Sequence, residues 1–591
     1  MKNKLNMKSL KIYTLLALLL MVGGVTMQGQ IVIDKQQCFG GYGQEVCVGM
    51  VMEDDYIMLV GNTARDYAGT GHVPQNCEES RASDPCWIVK IDHDYEIIDS
   101  WCYGDMGFSD GMGFMFKTGD KNEYYLAGVG FPDICDNNAQ NRNIVAKRIN
   151  ADGGEIWTRG YGTQLGLGYD HVANGELAHD GGLICHANYH SGGCDISHLY
   201  GNGDGWIVAL DSLGNMKWET TLGTFGQDIL FHVERSSRGG YIVTMTGDPV
   251  GNNFGNLNPC GGSIPMNMNG LIVKLDGIGN VEWNACYGST REDPKESSSF
   301  STILELEDGG YICCGEARGN TGDLAGSGWH HGTLHNIPNG NLTSDVWLLR
   351  LDENRNVIWS KCYGGTNYDV SFRVFPMKDG GFMVFGATYS NNGDVASAAH
   401  LNLADDNDSA GWVFRTDANG NLLWERCIGA IGNGQSIFKE VVQHNDREYT
   451  IAGIVRCAPS AIYSGDIDCS NCAVTHNPND PYGGRSLDYW ILHITDTVDY
   501  TTLQVPERPM PKEEAAVEVY PNPTNNTVCV LLPNEAEATE MELINMSGQV
   551  VATKTFSGKG GWMEMGDLPK GMYILRIRNA DVCLTRKVLR E

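Results

Sequence analysis

One hairpin recurs through this chain. WIVALDSLGNMKWETTLG, Trp206 to Gly223, returns as LIVKLDGIGNVEWNACYG from Leu271, WLLRLDENRNVIWSKCYG from Trp347 and WVFRTDANGNLLWERCIG from Trp412. A unit repeated in this way buries its apolar surface against its own copies, which leaves few architectures open. Apolar and polar residues alternate on both sides of a turn, the mark of strands and not of helices. Asp211 stands first in a four-residue turn and Gly214 last, which is type I turn chemistry. Asn215 adds one residue, so a bulged hairpin is expected. This register sets Val208 opposite Trp218 and Leu210 opposite Met216. Trp206, Val208, Leu210, Met216 and Trp218 then share one face.

The turn residue recurs at Asp92, Asn150, Asp211, Asp276, Asp352, Asp417 and, most weakly, Thr495. Upstream of each lies a turn followed by an apolar strand, as in DGGLICHAN (180–188) and DGGFMVFGA (379–387), and before that another plausible strand. Each repeat therefore has four strands, a to d. The last repeat stops before its d strand. The segment IVIDKQQCFGG (31–41) reads as that missing strand, because Cys38-Phe39-Gly40 matches Cys286-Tyr287-Gly288. Closing a ring this way removes the open sheet edge. The expected fold is all-β, a seven-bladed β-propeller closed by an N-terminal strand, with a small β-sandwich after it. Two smaller propellers or an array of sandwiches is the alternative.

Composition narrows the function classes. The formal net charge is −31, which argues against a nucleic-acid partner because phosphate is repelled over most of the surface. The N-terminus places Lys2, Lys4, Lys8 and Lys11 before an apolar run, Tyr13 to Val22, then Gly23 and Gly24. That pattern predicts a signal peptide over 1–29, too short to favour a membrane span. No transmembrane span is expected in the mature chain. Export makes the 19 cysteines candidates for disulfides rather than metal ligands.

The propeller is expected over 30–498 and a Pro-rich, charged linker over 499–516. From 517 the pattern changes. Tyr520-Pro521-Asn522-Pro523 opens it, Met546-Ser547-Gly548-Gln549-Val550-Val551 lies in the middle, and Leu568-Pro569-Lys570-Gly571-Met572-Tyr573 and Arg586-Lys587-Val588 end it. In these marks and their order, 517–591 resembles the C-terminal sorting domain of type IX secretion substrates. The resemblance implies an Ig-like β-sandwich, recognition by the type IX machinery, and passage across a bacterial outer membrane. It also implies removal of the domain and anchoring to surface lipopolysaccharide. The repeats resemble the uncharacterised propellers that often precede such a domain, which implies a fold and a setting but no activity.

Strand order puts the b–c and d–a connections at one end of the molecule. The b–c connections are the long ones, so that face is expected to bind an extracellular glycan, peptide or protein. Its candidate residues are Asp323, Trp329, His330, His331, Asp394, Asp405 and Asp408. The oxygens around Asp394, Asp405 and Asp408 are a candidate Ca²⁺ site, with a solvated acidic turn as the alternative. The Trp–His cluster is a candidate metal or stacking site, with ordinary loop as the alternative. No other cofactor is expected. Cys38, Cys102, Cys286, Cys362 and Cys427 share one repeat position and read as small buried thiols. Cys77, Cys86, Cys194, Cys260, Cys457, Cys469 and Cys472 read as loop staples, and Cys529 with Cys583 is a further candidate pair.

The enzyme alternative is a glycan-acting hydrolase or lyase, or a quinone-dependent dehydrogenase, on the same face. The Asp-x-x-Gly-x-x-x-Trp hairpin resembles repeats of pyrroloquinoline-quinone propellers, and Cys313-Cys314 resembles their vicinal disulfide, but those usually have eight repeats. The Asp-box of sialidases is similar with different spacing. No nucleophile or phosphate-loop motif stands in a supporting context, and no catalytic residue is nominated.

Overall fold

The computed structural model describes the chain from residue 27, except 29–30, 65–67, 80–83, 108–112, 121, 131–142, 164–173, 249–253, 259–268, 291–295, 330–342, 402–407, 431–434, 457–462, 465, 469–486, 499–517, 521–523, 525, 546–549, 567, 579–582 and 591. Residues 1–26 of the expected signal peptide (1–29) and the whole of the expected linker 499–516 lie outside the described residues. The chain divides into two compact units, Met1–Thr497 and Val498–Glu591.

The first unit is built from antiparallel sheets of four strands in a–b–c–d order, a propeller-like arrangement. Asn174–Leu177, Leu183–Tyr189, Asp204–Leu210 and Met216–Leu222 form one such sheet. The first two sheets join into one of eight strands, because Met106 and Gly107 pair with Gly130 and Val129. The c strands are buried along nearly their whole length, since each sheet is covered on both faces by its neighbours. Inner strands touch in chain order, and the last, Ser436–Gln443, touches the first, Val46–Met52. The strand Ile31–Phe39 pairs antiparallel with Asp488–Asp496, Ile31 opposite Asp496 and Phe39 opposite Tyr489. The start of the chain thus supplies the missing d strand.

The hairpin register departs from expectation in one respect. Leu210 does face Met216, but Trp218 faces Ala209 and not Val208. The extra residue is Lys217, so the bulge falls after Met216 rather than inside the turn. Parity therefore flips. Trp206, Val208 and Leu210 pack toward the preceding sheet, whereas Trp218 packs with Ile207 and Ala209 toward the following one. Met216 is exposed.

That flip explains the recurrence of the motif. The d-strand Trp of one sheet lies on the turn glycine of the next. A Cβ on Gly214 would sit 3.1 Å from the Trp157 ring, one on Gly279 2.7 Å from Trp218, and one on Gly420 3.0 Å from Trp359. The same turns take hydrogen bonds from that Trp or from the Tyr before the d-strand's final Gly. Trp157 Nε1 donates to Ser212 O and Trp359 Nε1 to Ala418 O, each at 3.0 Å; Tyr363 Oη donates to Gly420 O at 2.6 Å. Each Asp holds its turn by accepting two backbone N–H groups, as Asp211 Oδ1 does from Leu213 and Asn215. The repeated sequence is therefore a lock between neighbours, with both halves in one motif.

The cysteines pair differently from expectation. Cys77 is bridged to Cys102, and Cys38, Cys194 and Cys286 are also disulfide-bonded. Three of the five repeat-position cysteines are thus bridged, and only Cys362 and Cys427 remain thiols. The reason lies in the loop above. Cys77 reaches down to Cys102, whereas Ser327 and Ser397 occupy the corresponding places over Cys362 and Cys427. Ser327 Oγ donates to Cys362 Sγ at 3.2 Å, and Cys427 N donates to Ser397 Oγ at 2.7 Å. Cys86, Cys313 and Cys314 are free buried thiols, so neither a Cys86 staple nor a vicinal disulfide forms. Cys529 is also free, so it is not paired with Cys583. Cys260, Cys457, Cys469 and Cys472 lie outside the described residues.

In the second unit, the five described strands pair through hydrogen bonds: Glu518–Tyr520, Thr527–Asn545, Val550–Glu564, Gly571–Arg578 and Cys583–Arg590. Irregularities between Leu531 and Thr539 break the long hairpin. Val528, Val530, Met541, Leu543, Met563 and Leu575 nevertheless share one core.

Candidate functional site, the central channel

The inner strands carry a feature that alternation alone does not reveal. Register shifts fall between Cys47 and Gly49, Leu230 and His232, Phe300 and Thr302, Ser371 and Arg373, and Phe438 and Glu440. Each is a β-bulge that inserts one residue: Val48, Phe231, Ser301, Phe372 and Lys439. A bulge re-aims side chains, so two consecutive residues face the same way. All five inserted residues line one chamber of about 390 Å³, together with Ser299, Glu316 and Ser371. The residues after them, Gly49, His232, Thr302, Arg373 and Glu440, line a second hollow of about 580 Å³. Inner strands run from the d–a connections toward the short a–b turns. The bulge chamber is therefore on the long-loop side and the larger hollow on the short-turn side.

Charge is distributed unevenly. Arg373 meets Glu440 through two bonds, Nε to Oε1 at 3.1 Å and a terminal nitrogen to Oε2 at 2.7 Å. The Glu440 carboxylate holds the Arg373 guanidinium pKa above its ordinary value. Glu176 lies 3.2 Å from Arg235, and Glu234 lies 3.3 Å from His232. Burial, and secondly the Glu234 charge, raise the Glu176 carboxyl to about 7. Lys439 sits 5.2 Å from the centre of the Phe372 ring, and burial lowers its ammonium pKa. The channel thus offers aromatic walls, a neutralised guanidinium, an acidic patch around Glu176 and Glu234, and one further cation.

Among the described residues, the loop-face candidates read from the sequence lie in the long b–c loops, outside the channel. Asp323 and Asp394 stand at equivalent positions of successive b–c loops, and each clamps the end of the preceding d strand. Asp323 N donates to Gly288 O at 2.8 Å while Gly288 N donates to Asp323 Oδ2 at 3.1 Å. Asp394 makes the same pair with Gly364 at 2.8 and 3.3 Å. Asp195 with Gly162 and Asp466 with Gly429 repeat it, and His72 does so with Gly40 at the ring closure. Trp329 packs half-buried against its sheet's core, with Nε1 donating to Thr343 O at 3.4 Å. Asp408 is buried two residues before the strand Ala410–Thr416. Among the described residues, none of these four lines either hollow. His330, His331 and Asp405 lie outside the described residues. No group of three metal-ligating side chains occurs among the described residues.

In the second unit, Gly571 opens the strand Gly571–Arg578, and Tyr573 is buried with its hydroxyl donating to Pro569 O at 2.7 Å. Lys587 lies in Cys583–Arg590, opposite Ile574. Pro521, Asn522, Pro523 and Gly548 lie outside the described residues. Among the described residues no helix is long and apolar enough to cross a membrane.

Comparison with known proteins identifies one segment. Residues 518–591 match the family described as Secretion system C-terminal sorting domain, which marks the chain as a type IX secretion substrate. No curated protein matches the chain. Similar solved structures include a protein of unknown function from Bacteroides caccae, at 13% identity over 58% of this chain and 90% of that one, TM-score 0.27. Puromycin hydrolase is similar at 11% identity over 70% of this chain and 58% of that one, TM-score 0.28.

Proposed function

We propose that this chain is an exported, surface-held or released seven-bladed propeller that binds an extracellular ligand through its long-loop face, with the ligand reaching into the central channel. Residues 30–498 form the propeller and 517–591 an Ig-like sorting domain read by the type IX machinery. The observation that carries the binding role is the ring of bulges, which turns Val48, Phe231, Ser301, Phe372 and Lys439 into one chamber. Bulges gathered at one level around a channel suit recognition better than closure. The test is a glycan and peptide array probed with the intact chain and with a variant whose 319–344 loop is replaced by a Gly-Ser link. Binding is expected for the intact chain and is expected to weaken in the variant. Binding unchanged by the replacement, and by Phe372→Ala, sinks the reading. Export is tested separately: removing 518–591 in a type IX-competent strain should leave the protein in the periplasm.

A second reading, a hydrolase, is favoured only by the acidic patch. A carboxyl raised to about 7, close to a second carboxyl, is an arrangement that general acid–base chemistry uses. Turnover of an array ligand that disappears in Glu176→Gln but not in Glu316→Gln would move the assignment to an enzyme.

A further inference from the structure

We infer that the bulge chamber is a subsite for a ligand that carries a carboxylate beside an apolar or ring body, with the Lys439 ammonium as the counter-charge. The inference rests on the channel-binding reading and names the ligand class for it.

This chain matches its other buried cations with carboxylates. It has 73 acidic residues against 42 basic ones, so an acidic partner is easily found. Lys147 is fully buried between Asp105 at 2.7 Å and Glu155 at 2.9 Å. Lys274 has Glu282 at 3.4 Å, and Arg415 has Asp379 at 2.5 Å. In the chamber itself Arg373 is matched by Glu440. Lys439 is treated differently. Among the described residues no carboxylate lies within ion-pair distance of its ammonium; its neighbours are the Phe372 ring and Cys47, whose thiol burial keeps neutral. Holding a cation in that setting costs stability unless an anion arrives. The bulge between Phe438 and Glu440 is what delivers it to the chamber.

The remaining lining selects the anion. The Ser301 hydroxyl has two backbone acceptors in reach, Cys314 O at 3.0 Å and Ser371 O at 2.9 Å, and Ser371 Oγ donates to Gly315 O at 3.0 Å. Those donors are already committed to the backbone. Asn174 and Ser299 add neutral donors, but a phosphate or sulfate, best held by several charge-assisted donors, is less well matched than a carboxylate. Glu316 on the lining disfavours a dianion further. One ammonium suits one carboxylate, and Phe231 and Phe372 provide apolar surface for what it is attached to. The chamber's volume of about 390 Å³ is within the small-molecule range.

The test is calorimetric titration of the full chain with phenylacetate, its neutral isostere phenylacetamide, and inorganic phosphate. Phenylacetate should bind about tenfold or more tighter than phenylacetamide, the usual scale of one buried charged contact. Phosphate should bind more weakly than phenylacetate. Lys439→Met keeps the apolar stem and should remove the preference for phenylacetate while leaving phenylacetamide unchanged; Lys439→Arg should restore it. Thermal unfolding of each variant guards against a folding defect. Equal binding of the two isosteres overturns the carboxylate class but leaves the channel reading intact. So does a preference that survives in Lys439→Met, or tighter binding of phosphate. Absence of binding by all three probes overturns the inference, and the array result then decides the channel reading independently.

Discussion

Gly279 shows how much a single atom carries in this ring. Its φ of 87° lies in the left-handed region, and a Cβ there would meet the Trp218 ring at 2.7 Å. Gly279→Ala combines backbone strain with displacement of a packed indole, and should cost about 2–4 kcal/mol. Gly277, two residues earlier, has nothing within 4 Å of its Cβ position, and Gly277→Ala should be nearly neutral. Urea unfolding of both variants checks the pair. A small loss in Gly279→Ala would mean that the Trp–turn contact does not hold neighbouring sheets together. Asp345 gives a second residue-scale prediction. Asp345 and Asp369 are both fully buried and flank Gly364. Burial foremost, with the Asp345 charge among the lesser causes, raises the Asp369 carboxyl to about 7. The folded state therefore holds this proton more tightly than the unfolded chain does. Its contribution is complete below about pH 4 and is lost as pH rises through about 7. Asp345→Asn removes the like charge, and Asn143 and Asn269 already occupy the same repeat position, seven residues before the turn. The variant should gain on the order of 1 kcal/mol at pH 8 and little at pH 4. An equal change at both pH values would show that the two carboxylates do not interact.

At the scale of elements, the b–c loops are tied down before they are free to bind. Asp394 closes a two-bond bridge onto Gly364, and three other loops use Asp in the same way. Asp394→Ala leaves the Gly364 N–H without that acceptor and should cost about 1–3 kcal/mol, whereas Asp394→Asn keeps an oxygen and should cost less. Hydrogen exchange at Gly364 and protease sensitivity of the 389–401 loop should both rise in the alanine variant; protection equal to that of the parent chain would refute the clamp. The contrast between hairpin and bulge explains what the sequence could reveal. The Asp–Gly–Trp spacing made the outer hairpin and the strand count legible, because a turn needs those residue types at those places. The flip at Lys217 was not legible, because Ile207, Val208, Ala209 and Leu210 are all apolar and a sheet covered on both faces accepts either parity. The channel was hidden for a related reason. Phe231-His232, Phe372-Arg373 and Lys439-Glu440 read as ordinary alternation, and only pairing with the b strand shows that both members face inward. Asp323 and Asp394 recur at matched positions, and in the structure both close the same clamp on a d-strand glycine. The bridged cysteines depended on which loop residue lies above the shared position, a contact between residues far apart in the chain.

For the whole molecule, the decisive contact joins the two ends of the first unit. Ile31–Phe39 supplies the outer strand of the closing sheet, and Trp490 Nε1 donates to Gln36 Oε1 at 3.2 Å, across 454 residues of chain. Short-range locks tie each sheet to the next, and the inner strands Ser436–Gln443 and Val46–Met52 touch; this strand completes the sheet at that junction. Without it, Asp488–Asp496 is an exposed edge, and such edges pair with other chains. A chain beginning at residue 41 should therefore unfold at lower urea and elute partly as oligomers, with a transition less cooperative than that of a chain beginning at residue 30. A synthetic peptide spanning 31–39, supplied in excess, should bind the shortened chain and restore part of its midpoint, since a ligand that binds only the folded state stabilises it by mass action. Size-exclusion chromatography with and without the peptide measures both effects. If the shortened chain stays monomeric and as stable as the longer one, the locks between neighbours suffice and the closing strand is an accessory to the ring.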